Sequence, residues 1–184
     1  MGEKAATALA KYGKDKSVKG LLNYSQKIRA ERELNIKRSM EKGIADFGAL
    51  TERDVYCIGL GLYWGEGYKK GSQELGFTNS DPKMIQFYIH WLERVFKINR
   101  AELILRVSIN GIHKYRIKDV EKQWSQVTGI PLSQFTKSSL IKTDSKKVYG
   151  NMETHLGTLR IKVRKGTTLR REILGSLEGI VQQL

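Results

Sequence analysis

The stretch Ile58–Gly71, IGLGLYWGEGYKKG, decides the fold of this chain. It is an apolar, helix-compatible run with glycines at positions 59, 61, 65 and 67, and its last helical residue is one acid, Glu66. Gly61 and Gly65 are four residues apart, so they lie on one face of a helix. Each glycine costs a helix about 1 kcal/mol relative to alanine, and helices usually keep such glycines where another backbone approaches closely. The pattern therefore predicts close packing, either inside the monomer or against a second copy of the chain.

The 184-residue chain is strongly basic, with 33 Lys and Arg residues, 19 Asp and Glu residues and a formal charge of +14. Residues 51–100 are nearly neutral, whereas the segments on both sides of them are cationic. Such a surplus indicates a polyanionic partner, nucleic acid before membrane, although a hydrated basic surface has the same composition. At this length we expect one main domain over residues 51–184, preceded by a basic helical extension over residues 1–50.

The chain has a single cysteine, Cys57, which excludes an internal disulfide and suits a reducing compartment. Cys57 lies among apolar residues, so we expect it in the core. No apolar run approaches ~20 residues, and the N-terminal residues are lysine-rich without a hydrophobic segment. The sequence thus predicts no secretion signal and no membrane partner, and we expect a cytoplasmic protein that accompanies DNA.

Two helices have clear start signals. Thr51 and Asp54 form a capping-box pattern ahead of the glycine-bearing helix, which we predict over 52–66. Asp81 and Pro82 are suited to the N-cap and the first position of a second helix, which ends near residue 96. A short strand with Leu75 and Phe77 on alternate positions separates the two helices.

Alternating apolar and basic residues predict further strands. Asn110 and Gly111 are a turn signal, and with a three-residue loop they predict a hairpin over 103–118 that is apolar on one face and cationic on the other. Residues 157–165 repeat this alternation. We also expect a short helix around Trp124, an irregular basic segment over 129–156, and a C-terminal helix over about 167–184 with a buried leucine and isoleucine stripe.

Rows of cationic side chains on one sheet face fit the major groove of DNA, which admits a two-stranded ribbon. We expect arginines to read base edges and lysines to contact phosphates. The predicted DNA-binding residues are Lys69, Lys70, Arg106, Lys114, Arg116, Lys118, Lys137, Arg160, Lys162 and Arg164. A hydrated face is the alternative, although such faces usually mix both charges. An RNA-binding module is less favoured, because these ribbons lack the exposed aromatic residues that single strands stack on.

Glu66 is the candidate catalytic residue. Phosphodiester hydrolysis needs a carboxylate that holds an oxygen-preferring divalent metal, which activates water and neutralises the developing charge. One carboxylate is too few for a complete site, but a dimer through the Gly61 and Gly65 face would bring two copies of Glu66 together. The alternative is a glycine helix packed inside the monomer, with Glu66 merely hydrated.

The segment GLGLYWGEGYKKG, followed by ELGFTNSDPKMIQFYIHWLERVF, resembles the first half of a LAGLIDADG homing endonuclease domain, in the single-motif variant that ends in Gly-Glu-Gly. The resemblance covers about residues 51–118. It implies an α+β fold of the αββαββα type, with an antiparallel, saddle-shaped sheet and helices packed on one face. It also implies a dimer interface through Gly61 and Gly65, and Mg²⁺ or another divalent cation bound by Glu66 and the carbonyl group of Gly65.

The function that this resemblance implies is that of a homodimeric, Mg²⁺-dependent endonuclease. It would cut both strands of double-stranded DNA at a specific, near-palindromic site. The family's basic catalytic helper would be Lys118, Arg116 or Lys162. The alternative on the same fold is a non-catalytic DNA-binding regulator or an intron-splicing cofactor (maturase), the latter with RNA as a partner.

Overall fold

The computed structural model describes residues 3–71, 73–142 and 154–184, with side chains described from residue 17 onward. The chain divides into two compact units, Met1–Ala49 and Leu50–Leu184. The second unit covers the range predicted for the main domain.

The N-terminal unit is one long helix, α1 (Glu3–Phe47). At 45 residues it is about 67 Å long. All of its described side chains are exposed, including the apolar residues Val18, Leu21, Leu22, Tyr24, Ile28, Leu34, Ile36, Met40, Ile44 and Phe47. These apolar residues are spread around the helix and do not form one continuous apolar face.

The main unit is an α+β domain, as predicted. Its helices and strands, in chain order, are α2 (Glu52–Glu66), β1 (Gly76–Asn79), α3 (Pro82–Phe96), β2 (Leu103–Asn110), α4 (Ile117–Thr128), β3 (Ser139–Ile141), β4 (Thr158–Val163) and α5 (Thr167–Val181). In the described ranges, every helix is too short or too polar to act as a membrane span.

The strands form one open sheet in the order β1-β4-β2-β3. The pairs β1–β4 and β4–β2 are antiparallel, whereas β3 lies parallel to β2. The sheet is therefore mixed, and the prediction of a fully antiparallel sheet is wrong at β3. Next to β1, Gly67 forms an antiparallel bridge with Phe77, and the N–H group of Tyr68 donates to the carbonyl of Gly76. The segment after α2 thus adds a rudimentary strand at this edge.

The start signals of both helices are confirmed. Thr51 Oγ1 accepts a hydrogen bond from the Asp54 N–H group, and the Thr51 N–H group donates to the Asp54 carboxylate at 2.8 Å. This is the reciprocal pairing of a capping box. Asp81 accepts from the N–H group of Lys83 at 2.8 Å, with Pro82 at the first helical position.

The core lies between the helices and one face of the sheet. The alternate residues of the two central strands that were predicted to be apolar and inward are buried, namely Leu103, Leu105 and Val107 of β2 and Leu159, Ile161 and Val163 of β4. Helix α3 contributes Tyr88, which stacks on Phe77 of β1 with ring centroids 4.3 Å apart, and Trp91, which is fully buried. The apolar stripe of α3, Ile85, Tyr88, Ile89, Trp91 and Leu92, is therefore part of the core.

The predicted hairpin over 103–118 is wrong. The Asn110 side chain accepts a hydrogen bond from the N–H group of Ile112 at 3.0 Å and so begins a 3-10 helix, Gly111–Arg116, that leads into α4. Asn110 acts here as a helix cap, because β2 already has β4 and β3 as neighbours. The predicted faces are exchanged as a result: Tyr115 is exposed and Arg116 is buried.

Three smaller predictions also need correction. Cys57 is exposed, because it lies on the side of α2 that faces away from the core. The buried stripe of α5 ends at Leu177, and the residues beyond it that were expected in the core, Ile180, Val181 and Leu184, are exposed. The segment predicted as irregular over 129–156 contains a 3-10 helix, Leu132–Gln134, and β3, while its residues 143–153 lie outside the described ranges.

Gly59 gives a test of this packing. A methyl group at Gly59 would overlap the indole ring of Trp91, so we expect Gly59→Ala to lower the free energy of unfolding by about 1–3 kcal/mol, despite its better helix propensity. Gly175 of α5 is the matched control, since a methyl group there would meet no described atom within 4 Å apart from the neighbouring backbone of α5 itself. Gly175→Ala should stabilise by about 0.5–1 kcal/mol. Urea unfolding measures both, and equal stabilisation by the two substitutions would contradict the packing.

Candidate nucleic-acid interface

Three of the predicted DNA-binding residues converge on the sheet face opposite the core, which we call the polar face. Arg160 of β4 lies directly opposite Arg106 of β2 and Thr78 of β1. Lys162 follows in the next row along β4. Because directly opposite residues project from the same face, these side chains form one group. Arg164 continues the alternation just beyond β4 and is exposed.

The polar face also holds an acid that the sequence reasoning missed, Glu74. Its carboxylate accepts hydrogen bonds from both Lys162 and Arg160, the latter at 3.1 Å. The hydrogen bond from Lys162 lowers the pKa of Glu74 most, and the charges of Arg160 and Arg106 add to this effect against the opposing effect of burial. The sequence could have indicated this position. Glu74 lies two residues before β1 and four before Thr78, so an extended chain projects both side chains from the same face.

Arg106 is the least satisfied of the three cations. Its Nε atom is buried and makes no hydrogen bond in the part of the chain that the structure describes. Buried polar atoms are usually paired, so an orphaned guanidinium donor on a charged face needs an explanation. Arg106 also lies directly opposite Arg160, and like charges in this arrangement repel each other. Both features favour an anionic partner for this face.

The other predicted cations do not join this group. Lys114 is exposed on the 3-10 helix, and Arg116 is buried and donates to the carbonyl of His155 at 3.2 Å. Lys118 of α4 is exposed and pairs with Glu121 at 3.5 Å. Lys137 is exposed between the 3-10 helix Leu132–Gln134 and β3. Arg116 is thus a structural residue, and the hairpin that would have aligned Lys114 and Lys118 with the strands is absent from this described region.

Lys69 and Lys70 lie on the turn that follows α2, and a second missed residue holds this turn. Arg170 of α5 is buried and donates from Nε to the carbonyl of Tyr68 at 3.0 Å and from Nη2 to the carbonyl of Lys69 at 2.7 Å. The Tyr63 hydroxyl also donates to the carbonyl of Tyr68 at 2.9 Å. Arg170 was recognisable in principle, because it lies three residues before Ile173 on the buried side of α5.

The glycines of α2 serve two different purposes. Side chains at Gly59 and Gly67 would collide with Trp91 and Tyr63, so these two glycines allow packing within the domain. At Gly61 and Gly65, by contrast, a methyl group would meet no described atom within 4 Å apart from the neighbouring backbone of α2 itself. The predicted interface glycines are therefore open in the described structure, and the alternative that this pair packs inside the monomer is not supported.

The open glycines belong to a larger exposed face of α2. It contains Asp54, Cys57, Ile58, Gly61, Trp64 and Gly65, and we call it the α2 outer face. Ile58 is 40 % exposed and Trp64 is 44 % exposed, so the face combines small and large apolar residues. A helix face of this kind allows the close approach of a second helix.

Glu66 lies at the exposed end of α2, beside the Gly65 carbonyl that was predicted to help bind a metal. The ammonium group of Lys69 donates to that carbonyl at 3.1 Å and also donates to the carbonyl of Trp64. Among the described residues, no three His, Cys, Asp or Glu side chains group together as a metal site. The oxygen donors of Glu66 and Gly65 fit a divalent cation only if a second copy supplies the same pair and Lys69 leaves the carbonyl.

No family model, no curated protein and no solved structure matches the chain.

The position of Lys69 gives a test of the metal site. Lys69→Met removes a cation from the carbonyl end of α2, so we expect a loss of about 0.3–1 kcal/mol in the free energy of unfolding. It should also tighten the binding of Tb³⁺, a luminescent substitute for divalent ions, by several-fold because the Gly65 carbonyl becomes free. Luminescence sensitised by the neighbouring Trp64 measures this binding. Lys70→Met is the control. If both substitutions raise the affinity for Tb³⁺ equally, the gain comes from the lower net charge and not from the free Gly65 carbonyl.

Proposed function

We propose that two copies of this chain bind double-stranded DNA through their polar faces and cut both strands at a specific site, in the manner of a homing endonuclease. The observation that carries the proposal is the convergence of Arg106, Arg160 and Lys162 on the face opposite the core. In this proposal the main domain is of the LAGLIDADG type and acts in the cytoplasm on DNA.

The DNA-binding part of the proposal rests on shape and charge. Strands β4 and β2 form an antiparallel ribbon, and B-form DNA admits such a ribbon in its major groove. Arg106, Arg160 and Arg164 present planar donor groups that suit the O6 and N7 atoms of guanine, while Lys162 suits phosphates. The repulsion between Arg106 and Arg160 would be relieved when an anion approaches.

The dimer part of the proposal rests on the α2 outer face. Open glycines at 61 and 65 would let two α2 helices cross with their backbones close together. A two-fold axis at this crossing places the two copies of Glu66 near each other and presents two polar faces to DNA. Two-fold symmetry in the protein corresponds to a near-palindromic target site.

Cleavage in this proposal depends on Glu66 and the Gly65 carbonyl of both copies, which would hold Mg²⁺ or another divalent cation. The bound ion would supply an activated water molecule and charge neutralisation at the phosphate. Lys69 must move away from the Gly65 carbonyl for this to happen, and Lys69 or Lys70 could then contact the DNA backbone.

The position of Lys69 also favours the second candidate, a DNA-binding protein that does not cut, such as a regulator or a splicing cofactor. The ammonium group already satisfies the carbonyls of Trp64 and Gly65, so the end of α2 is stable without a metal. A protein that never binds the ion could keep the same fold, dimer and polar face.

Glu66→Gln separates the two candidates. We expect this change to reduce Mg²⁺-dependent cleavage of a randomised DNA library by at least ~100-fold, because a metal ligand is lost, while DNA affinity changes by only a few-fold. Sequencing of the cut ends measures cleavage, and a filter or gel assay measures affinity. Glu172→Gln, an exposed acid of α5, is the control for net charge. Binding without cleavage by the wild type itself would favour the non-catalytic candidate.

The dimer is tested by Gly61→Leu. A leucine at this position would hold two facing helices apart, so we expect sedimentation to show a dimer for the wild type and a monomer for the variant. Cys57 lies one helical turn before Gly61 on the same outer face, so a short bismaleimide should cross-link two wild-type copies and not the variant. Gly175→Leu controls for a leucine at an open helix position elsewhere. A wild-type mass of one chain would exclude the dimer.

A further inference from the structure

The polar face is cationic but not free. The four strands contain no acid, and Glu74, which lies just before β1, is the carboxylate that reaches their polar face in the described structure. Each of its two oxygens is engaged by a different cation: Oε2 by Arg160 at 3.1 Å, and Oε1 by Lys162. Glu74 therefore binds both cations in the way a phosphate group would.

This three-residue cluster is shielded from solvent more than an ordinary surface ion pair. The side chains of Arg160, Lys162 and Glu74 are 21 %, 29 % and 34 % exposed. Salt and water weaken such a pair less than a fully exposed one, so a phosphate that displaces Glu74 loses part of its binding free energy. Arg106 adds a third positive charge beside the cluster.

We propose that Glu74 determines the specificity of the DNA interface. In free protein it occupies Arg160 and Lys162, so that the phosphates of arbitrary DNA must displace it before they can bind these cations. On a matching site Glu74 releases Arg160 and Lys162 to the DNA and accepts a hydrogen bond from the N4 amino group of cytosine, for which a carboxylate is suited. Specificity then comes partly from a repulsive element, as in many selective interfaces.

This inference rests on the proposed DNA binding and is independent of cleavage, Mg²⁺ and the dimer. Its physical consequence is a change in the salt dependence of binding. Neutralising Glu74 frees two cations for phosphates, so the slope of log affinity against log salt should steepen by about 1–2. Affinity for non-specific DNA at low salt should rise about tenfold with these extra phosphate contacts.

The test compares Glu74→Gln with Glu93→Gln. Both substitutions remove one negative charge and keep the side-chain size, but Glu93 lies on α3, on the core side of the sheet, where it pairs with Arg100 at 2.6 Å. Binding to a random-sequence duplex is measured at several salt concentrations, and preferred sites are selected from a DNA library. We expect the steeper slope, the tenfold gain and the loss of a cytosine preference for Glu74→Gln alone.

If the two variants behave alike, net charge explains the effect and Glu74 has no special role, although DNA binding stands. If neither variant nor the wild type binds duplex DNA, the proposed function fails and this inference fails with it. Thermal melting shows whether the variants fold, and Glu74→Met serves as a second neutral variant, with the same expected steepening, if the glutamine variant is unstable.

Discussion

The contact of Gly59 with Trp91 sets the orientation on which the rest of the domain depends. It brings the backbone of α2 against the largest side chain of α3, at a position where even a methyl group would overlap the ring. A helix turns by about 100° per residue, so a glycine that faces inward at 59 places position 61 about 200° around, on the outer side. One close contact in the core thus exposes the glycines at 61 and 65 and brings Glu66 to an accessible helix end.

The turn after α2 connects this helix end to the polar face. Arg170 and Tyr63 hold the carbonyls of Tyr68 and Lys69, and so fix the path of the chain directly after α2. The same short segment places the Lys69 ammonium on the carbonyls of α2 and leads to Glu74 beside Lys162. A buried arginine on the last helix therefore holds the turn that carries Lys69, next to the candidate metal ligands.

Features that depend on neighbouring residues were predictable, and those that depend on distant partners were not. The capping box at Thr51, the Asp81-Pro82 start and the alternation along β2 and β4 are local, and all three are confirmed. The hairpin prediction at Asn110 was wrong because an asparagine before a glycine suits both a hairpin turn and a helix cap. Which of the two forms depends on the strands that flank β2. The partner of Glu74, Arg160, is 86 residues away along the chain, so its pairing could not be read from spacing.

In the free state, the protein's own groups already bind part of both candidate sites. The Glu74 carboxylate binds Arg160 and Lys162 on the polar face, and the Lys69 ammonium group binds the carbonyls at the end of α2. A ligand at either place must replace an internal partner, so its net gain is smaller than its contacts alone suggest. An anion or cation that replaces only some of these internal contacts therefore binds weakly. Good affinity is left for a ligand that replaces all of them. For a protein with a net charge of +14, which attracts polyanions at long range, such internal competition is a physical means of favouring a well-matched ligand over poorly matched ones.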